Sequence, residues 1–195
     1  SDVYKRQGYN DQAGFGRRFI DYSPAELADE VLYQVGALHA LAKARGTQVR
    51  YVKPHGAMYN TIVHHEAQAK AVIEGIKAFG TDLPVMLLPG AVAATYAEKA
   101  GLRVINEVFA DRAYNPDGTL VSRRENGAVL HDPEVVARRV VRMAEEGTIE
   151  AIDGSTIRTT ADSVCVHGDS PGAVAMAERI AAELKANDIT IGSFL

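Results

Sequence analysis

At 195 residues, 47% of them hydrophobic and 24% charged, the chain has the length and make-up of one soluble globular domain with enough core to fold on its own. Lys and Arg number 21 against 25 acidic residues, and the net charge of -4 leaves no electrostatic footprint for nucleic acid or an anionic membrane; a small, water-borne partner is expected. Cys165 is the only cysteine, which excludes an internal disulfide, and with no signal peptide or membrane-length apolar run in view the cytoplasm is the expected compartment.

Ser1–Gln7 is polar and has no clear period. Gly14-Phe15-Gly16-Arg17-Arg18 then reads as a glycine-punctuated loop with two guanidinium groups. From Ser23 several signals open a helix: Ser23 as N-cap, Pro24 at the first helical position and Glu26 completing a capping box. Leu27, Val31, Val35, Leu38, Leu41 and Ala42 form its apolar stripe, and Lys43, Arg45 and Gly46 close it. Val49–Lys53 is a short buried strand broken by Pro54 and Gly56, which leaves Lys53 and His55 at its carboxyl end. His64-His65 looks like a solvated helix start; the helix carries Ala69, Ile73 and Ile76 and ends at Gly80. A second strand, Val85–Leu88, stops at Pro89-Gly90, and a helix over Ala91–Ala100 follows.

The next strand, with Val104, Ile105, Val108 and Phe109, ends among Glu107, Asp111, Arg112, Arg123 and Arg124. Between these charges Tyr114-Asn115-Pro116-Asp117-Gly118 reads as a tight turn in a segment reaching about His131. A loop of roughly 20 residues is uncommon in a compact domain and is expected to form one wall of a site. Asp132-Pro133 opens a helix with Val136, Val140 and Met143 in register. Ile149–Asp153 is an uncertain strand, Ser163–His167 a clear one, and Ser170-Pro171 opens the last helix.

Strands alternate with helices and lack the period of two that marks a half-exposed sheet, so the fold class is α/β with a parallel sheet, open or closed into a barrel. In both architectures ligands collect beyond the carboxyl ends of the strands. Lys53, His55, Glu107, Asp111, Arg112, His167 and Asp169 all stand there. Each has a plain alternative. His55 can bond its own turn, Asp169 can cap the following helix, and Glu107 and Asp111 are either an acid and base pair or partners of Arg112, Arg123 and Arg124. Lys53 is either a point charge for a carboxylate or phosphate or, if desolvated, a base. Cys165, inside an apolar run, suits a core role. The chain has no G-x-x-x-x-G-K-S/T loop, no G-x-G-x-x-G after a strand and no H-E-x-x-H, so it advertises no nucleotide loop, and its His and carboxylate spacing has no metal signature.

Several segments together resemble the LamB/YcsF family: Gly14–Arg18, Tyr33–Leu38, Val52–Asn60, Glu107–Tyr114, Gly118–Arg123 and Val164–Asp169. They follow the family's order from about residue 8 to the end. The resemblance implies a parallel (β/α) barrel-like fold of the glycoside hydrolase and deacetylase type. It also implies a part in ATP-dependent opening of 5-oxoproline to L-glutamate, in a complex with 5-oxoprolinase subunits B and C. ATP would then belong to the complex, which fits the missing nucleotide loop. On this reading Lys53, Glu107, Arg112 and Arg123 hold the substrate, while His55, Asp111, His167 or Asp169 activate water. The family's Asp-Leu-Asn-x-Asp-x-Gly-Glu strand, its His-Ala-Gly-Asp segment and its Gly-x-His-Pro motif are absent. The expectation is therefore an N-terminally truncated member whose barrel lacks its first strands, with residues 1–7 outside the native fold and apolar strand edges exposed. Two other readings stand beside this one: a free-standing metal-dependent deacetylase or glycosidase, and a non-catalytic scaffold subunit.

Overall fold

Strands that are apolar on both faces must be covered on both, and helical crossovers between parallel neighbours do this. The computed structural model describes residues 3–80, 83–168 and 172–195, and the chain forms two compact units, Ser1–Ile105 and Asn106–Leu195.

In the first unit β1 (Val3–Gln7), β2 (Val49–Pro54) and β3 (Val85–Leu87) lie in that order, each parallel to the next, followed by the opening residues of β4 (Val104–Phe109). The connections run through α1 (Pro24–Ala44), the short α2 (Ala57–Thr61), α3 (Glu66–Ala78) and α4 (Val92–Lys99). Side-chain periodicity set residues 1–7 apart, but strand pairing is made by the main chain. Lys5 lies opposite Val52 and Gln7 opposite Pro54, with an irregularity between Val3 and Lys5.

Local chemistry fixes α1 as its sequence demands: the Ser23 hydroxyl accepts from the Glu26 N–H, and the Glu26 carboxylate accepts from the Ser23 N–H. Leu27, Val31 and Val35 then pack against Val72, Ile73 and Ile76 of α3 and Val52, Val85 and Leu87 of the sheet. Leu41 leaves the expected stripe and is 66% exposed. At about 100° per residue it lies roughly 240° round from Val35, while Ala42 comes back to the buried face. His65 is no mere solvated start; its imidazole caps α3, Nδ1 accepting from the Gln68 N–H at 3.4 Å.

The glycine-punctuated loop is folded on itself and then docked. Asp11 accepts from the Gly14 N–H at 2.8 Å and pairs with the Arg18 guanidinium, which holds its carboxyl down at about 2. The Gly16 carbonyl accepts from the Ala57 N–H at 2.9 Å, so the loop lies on the turn that follows His55. Gly56 sits beneath it at φ +65°, and a Cβ there would lie 2.3 Å from the Gly16 oxygen.

In the second unit the rest of β4 runs parallel to β7 (Ser163–Cys165), Glu107 opposite Ser163 and Phe109 opposite Cys165. Helix α5 (Pro133–Glu145), capped by Asp132, packs against α6 (Ala173–Ala186) through Val136, Ala137, Val140, Met176, Ile180 and Leu184. The uncertain strand at Ile149–Asp153 proves to be one arm of an antiparallel hairpin, β5 (Thr148–Glu150) with β6 (Thr156–Arg158). Ser170-Pro171, read as the start of the last helix, lies outside the described residues, within which that helix begins at Ala173. Among the described residues no helix is long and apolar enough to cross a membrane.

Gly56→Ala should be destabilising by about 1–3 kcal/mol from overpacking, on top of the left-handed backbone it must adopt. Gly127→Ala, at φ +78° with open space around it, should cost only the backbone part, about 1 kcal/mol. Denaturant unfolding of the two variants checks this; equal losses would mean that the approach to Gly16 is unimportant.

Candidate functional site

Strand β4 delivers Asp111 two residues past its end, and β7 delivers His167 two residues past its own. Parallel register with Phe109 opposite Cys165 brings the two together. Nδ1 of His167 lies 2.9 Å from both carboxylate oxygens of Asp111. A carboxylate only accepts, so Nδ1 carries the proton, and in the neutral form of the ring the lone pair lies on Nε2. Asp111 is buried, whereas the His167 side chain keeps a fifth of its surface open (20%). Burial pushes the Asp111 carboxyl upward, but the bond and charge of His167, with the positive charge of Arg123, hold it below the ordinary aspartate range. Phe109 stacks on the imidazole, ring centres 5.7 Å apart and planes at 20°.

The long loop is held by guanidinium groups donating to main-chain carbonyls. Arg112, buried, donates from Nε to the Ala128 carbonyl at 3.2 Å and from Nη2 to the Val121 carbonyl at 2.5 Å. Burial and the neighbouring charge of Arg123 both hold it below the usual arginine range. Main-chain bridges Arg112 to Val129 and Tyr114 to Leu120 close the loop, and Ala113, Val121 and Ala128 give it a small core. The expected turn is present, with the Gly118 N–H donating to the Asn115 carbonyl at 2.9 Å. Arg123 and Arg124 are exposed on the loop.

Two residues with no assigned part in the sequence reading stand behind the pair. Tyr114 is fully buried and its hydroxyl accepts from the Phe109 N–H at 2.8 Å; burial pushes its phenol pKa upward. Arg139 of α5 donates from Nη1 to the carbonyls of Ala110 at 3.1 Å and Arg112 at 2.5 Å, and its guanidinium lies 5.3 Å from the Tyr114 ring centre. The signal for Arg139 was in the helix period: it falls three residues after Val136 and four before Met143, on the face that α5 buries.

The remaining candidates fall as follows. Glu107 is buried in β4. In the first unit Lys53 is buried at the end of β2 and His55 is half-buried in the turn after it. There Gln34 clasps the Gly8 main chain, donating to its carbonyl at 2.9 Å and accepting from its N–H at 3.4 Å. Asp169 lies outside the described residues. Among the described residues no three His, Cys, Asp or Glu side chains gather as a metal-binding group.

Fold and pair together define a parallel α/β protein with a carboxylate-buttressed imidazole where two neighbouring strands end. The LamB/YcsF family model matches residues 3–195, and the chain belongs to that family. It is 96% identical over 188 residues, 96% of this chain and 73% of the other, to the 5-oxoprolinase A subunit of Corynebacterium jeikeium. The 5-oxoprolinase A subunit of Kocuria rhizophila is 65% identical over 186 residues, 95% of this chain and 74% of that one. The crystal structure of the lactam utilization protein from Thermus thermophilus superposes with a TM-score of 0.91 at 41% identity, over 99% of this chain and 77% of that one. The α/β class with a parallel sheet is thus shared with a family member of known structure.

Because the Asp111 carboxyl is lowered in the folded chain, its contribution to stability is full above about pH 4, the unfolded aspartate value, and is lost as pH falls through the lowered one. Asp111→Asn, of the same shape but uncharged, should flatten the acid limb of the stability curve below about pH 4. Denaturant unfolding at stepped pH measures it; an acid limb as steep as that of the parent would sink the assignment.

Proposed function

We propose that this chain is the A subunit of an ATP-dependent 5-oxoprolinase, a cytoplasmic assembly with subunits B and C that opens the lactam of 5-oxoproline to give L-glutamate. The observation that carries the reading is the Asp111–His167 pair, in a family whose relatives carry that subunit's name. A lactam is a resonance-stabilised amide that water attacks slowly. ATP, held by the assembly, supplies the phosphoryl group that activates the lactam oxygen.

His167 is assigned the general base. Its Nε2 takes a proton from the attacking water, and Asp111 stabilises the imidazolium that forms. When the ring C–N bond breaks, the departing nitrogen needs a proton, and the same imidazolium can return it; the γ-glutamyl phosphate so formed takes a second water and gives L-glutamate and inorganic phosphate. Arg123 and Arg112 are assigned to anionic oxygens of the substrate on the second unit, with Glu107 a further substrate contact. Lys53 is assigned an anionic oxygen at the end of β2, where His55 is the second imidazole able to move a proton. Asp169 keeps its assignment as a further candidate for activating water.

Reconstitution with subunits B and C, followed by ATP-coupled glutamate release, tests the reading. His167→Ala should lower kcat by about 100-fold or more with little change in KM. Arg123→Ala and Lys53→Ala should act chiefly on KM. Full turnover by His167→Ala would overturn the catalytic assignment and leave a scaffold role.

A further inference from the structure

We propose that Arg139 is the positioning residue of the site, a single guanidinium that sets both members of the Asp111–His167 pair from behind. The inference rests on the reading of that pair as the proton-handling group. Two routes lead from the one side chain. Along the main chain, Nη1 donates to the carbonyls of Ala110 and Arg112, the residues on either side of Asp111, at 3.1 and 2.5 Å. The first carbonyl belongs to the peptide that enters Asp111 and the second to the peptide one residue beyond it, while the Asp111 carbonyl itself accepts from the Leu130 N–H at 2.9 Å, so the main chain from which the Asp111 side chain leaves is held on both sides. Along the rings, the guanidinium lies over Tyr114, the Tyr114 hydroxyl takes the Phe109 N–H, and the Phe109 ring lies on the imidazole of His167.

Packing of the helix face alone does not ask for a cation at this position. Val136, Ala137 and Val140 already bury the face of α5, and an apolar side chain at 139 would extend that face but would withdraw the donor from the carbonyls of Ala110 and Arg112. The guanidinium suits the place because one planar nitrogen presents two N–H groups to two carbonyls while its face meets an aromatic ring. A lysine ammonium can reach a carbonyl but has no flat face to lay on Tyr114.

The test reads the pair directly, without relying on turnover. In the full chain the His167 Nδ1 proton, bonded to a carboxylate, should give a downfield proton resonance in NMR, assigned by its loss in His167→Asn. In Arg139→Met that resonance should shift or broaden away, and kcat of the complex with subunits B and C should fall by roughly 100-fold with KM within about twofold. Arg139→Lys should restore part of both. An unmoved resonance in a folded Arg139→Met overturns the proposal whatever the activity does. A resonance lost without any effect on kcat supports the positioning role and refutes the pair as the reaction's base, so the two claims fail separately. If Arg139→Met does not fold, Arg139→Gln, which keeps an amide donor but no ring contact, carries the same measurement with the same outcomes.

Discussion

The structure around the strand ends depends on one constraint: a peptide carbonyl removed from water needs a donor, and a removed cation needs acceptors. Ala110, Arg112, Val121 and Ala128 have such carbonyls, and Arg112 and Arg139 are the cations that answer them. Each requirement meets the other, so neither guanidinium needs a carboxylate partner. That leaves the Asp111 carboxylate to His167 alone among the side-chain hydrogen bonds described for it. A buried carboxylate drawn into an Arg112 ion pair would have held the imidazole less firmly.

The same economy appears in the first unit with different chemistry. Loop and turn there approach through main chain, Gly16 carbonyl to Ala57 N–H, and the approach is close because Gly56 has no side chain. Asp11 and Arg18 shape the loop before it docks. The two guanidinium groups of the loop therefore differ: Arg18 is engaged by Asp11, while Arg17 lies near the exposed Phe15 ring.

Much of this was legible in the sequence because it is set by local rules. The capping box at Ser23, the Asp132-Pro133 helix start and the apolar runs of β2, β3, β4 and β7 each depend on a few neighbouring residues. The meeting of Asp111 with His167, 56 residues apart, followed only in outline: both ended strands, but the register that aligns Phe109 with Cys165 is a tertiary fact. Three features escaped, each for a physical reason. Val3–Gln7 pairs by main chain and has no pattern to read; the β5–β6 hairpin is three residues to an arm; and the partners of Arg112 are carbonyls, which every residue possesses and no sequence marks.

The loop between Ala113 and Ala128 is anchored at its base by Arg112 and the bridge to Val129, while residues 122–127 at its far side are exposed. Anchorage and tip are thus separable under mutation. Electrically they are not: Arg123, on the tip, is one of the charges that hold the Asp111 carboxyl low, so a change of charge there reaches the buried carboxylate while the base of the loop keeps its shape.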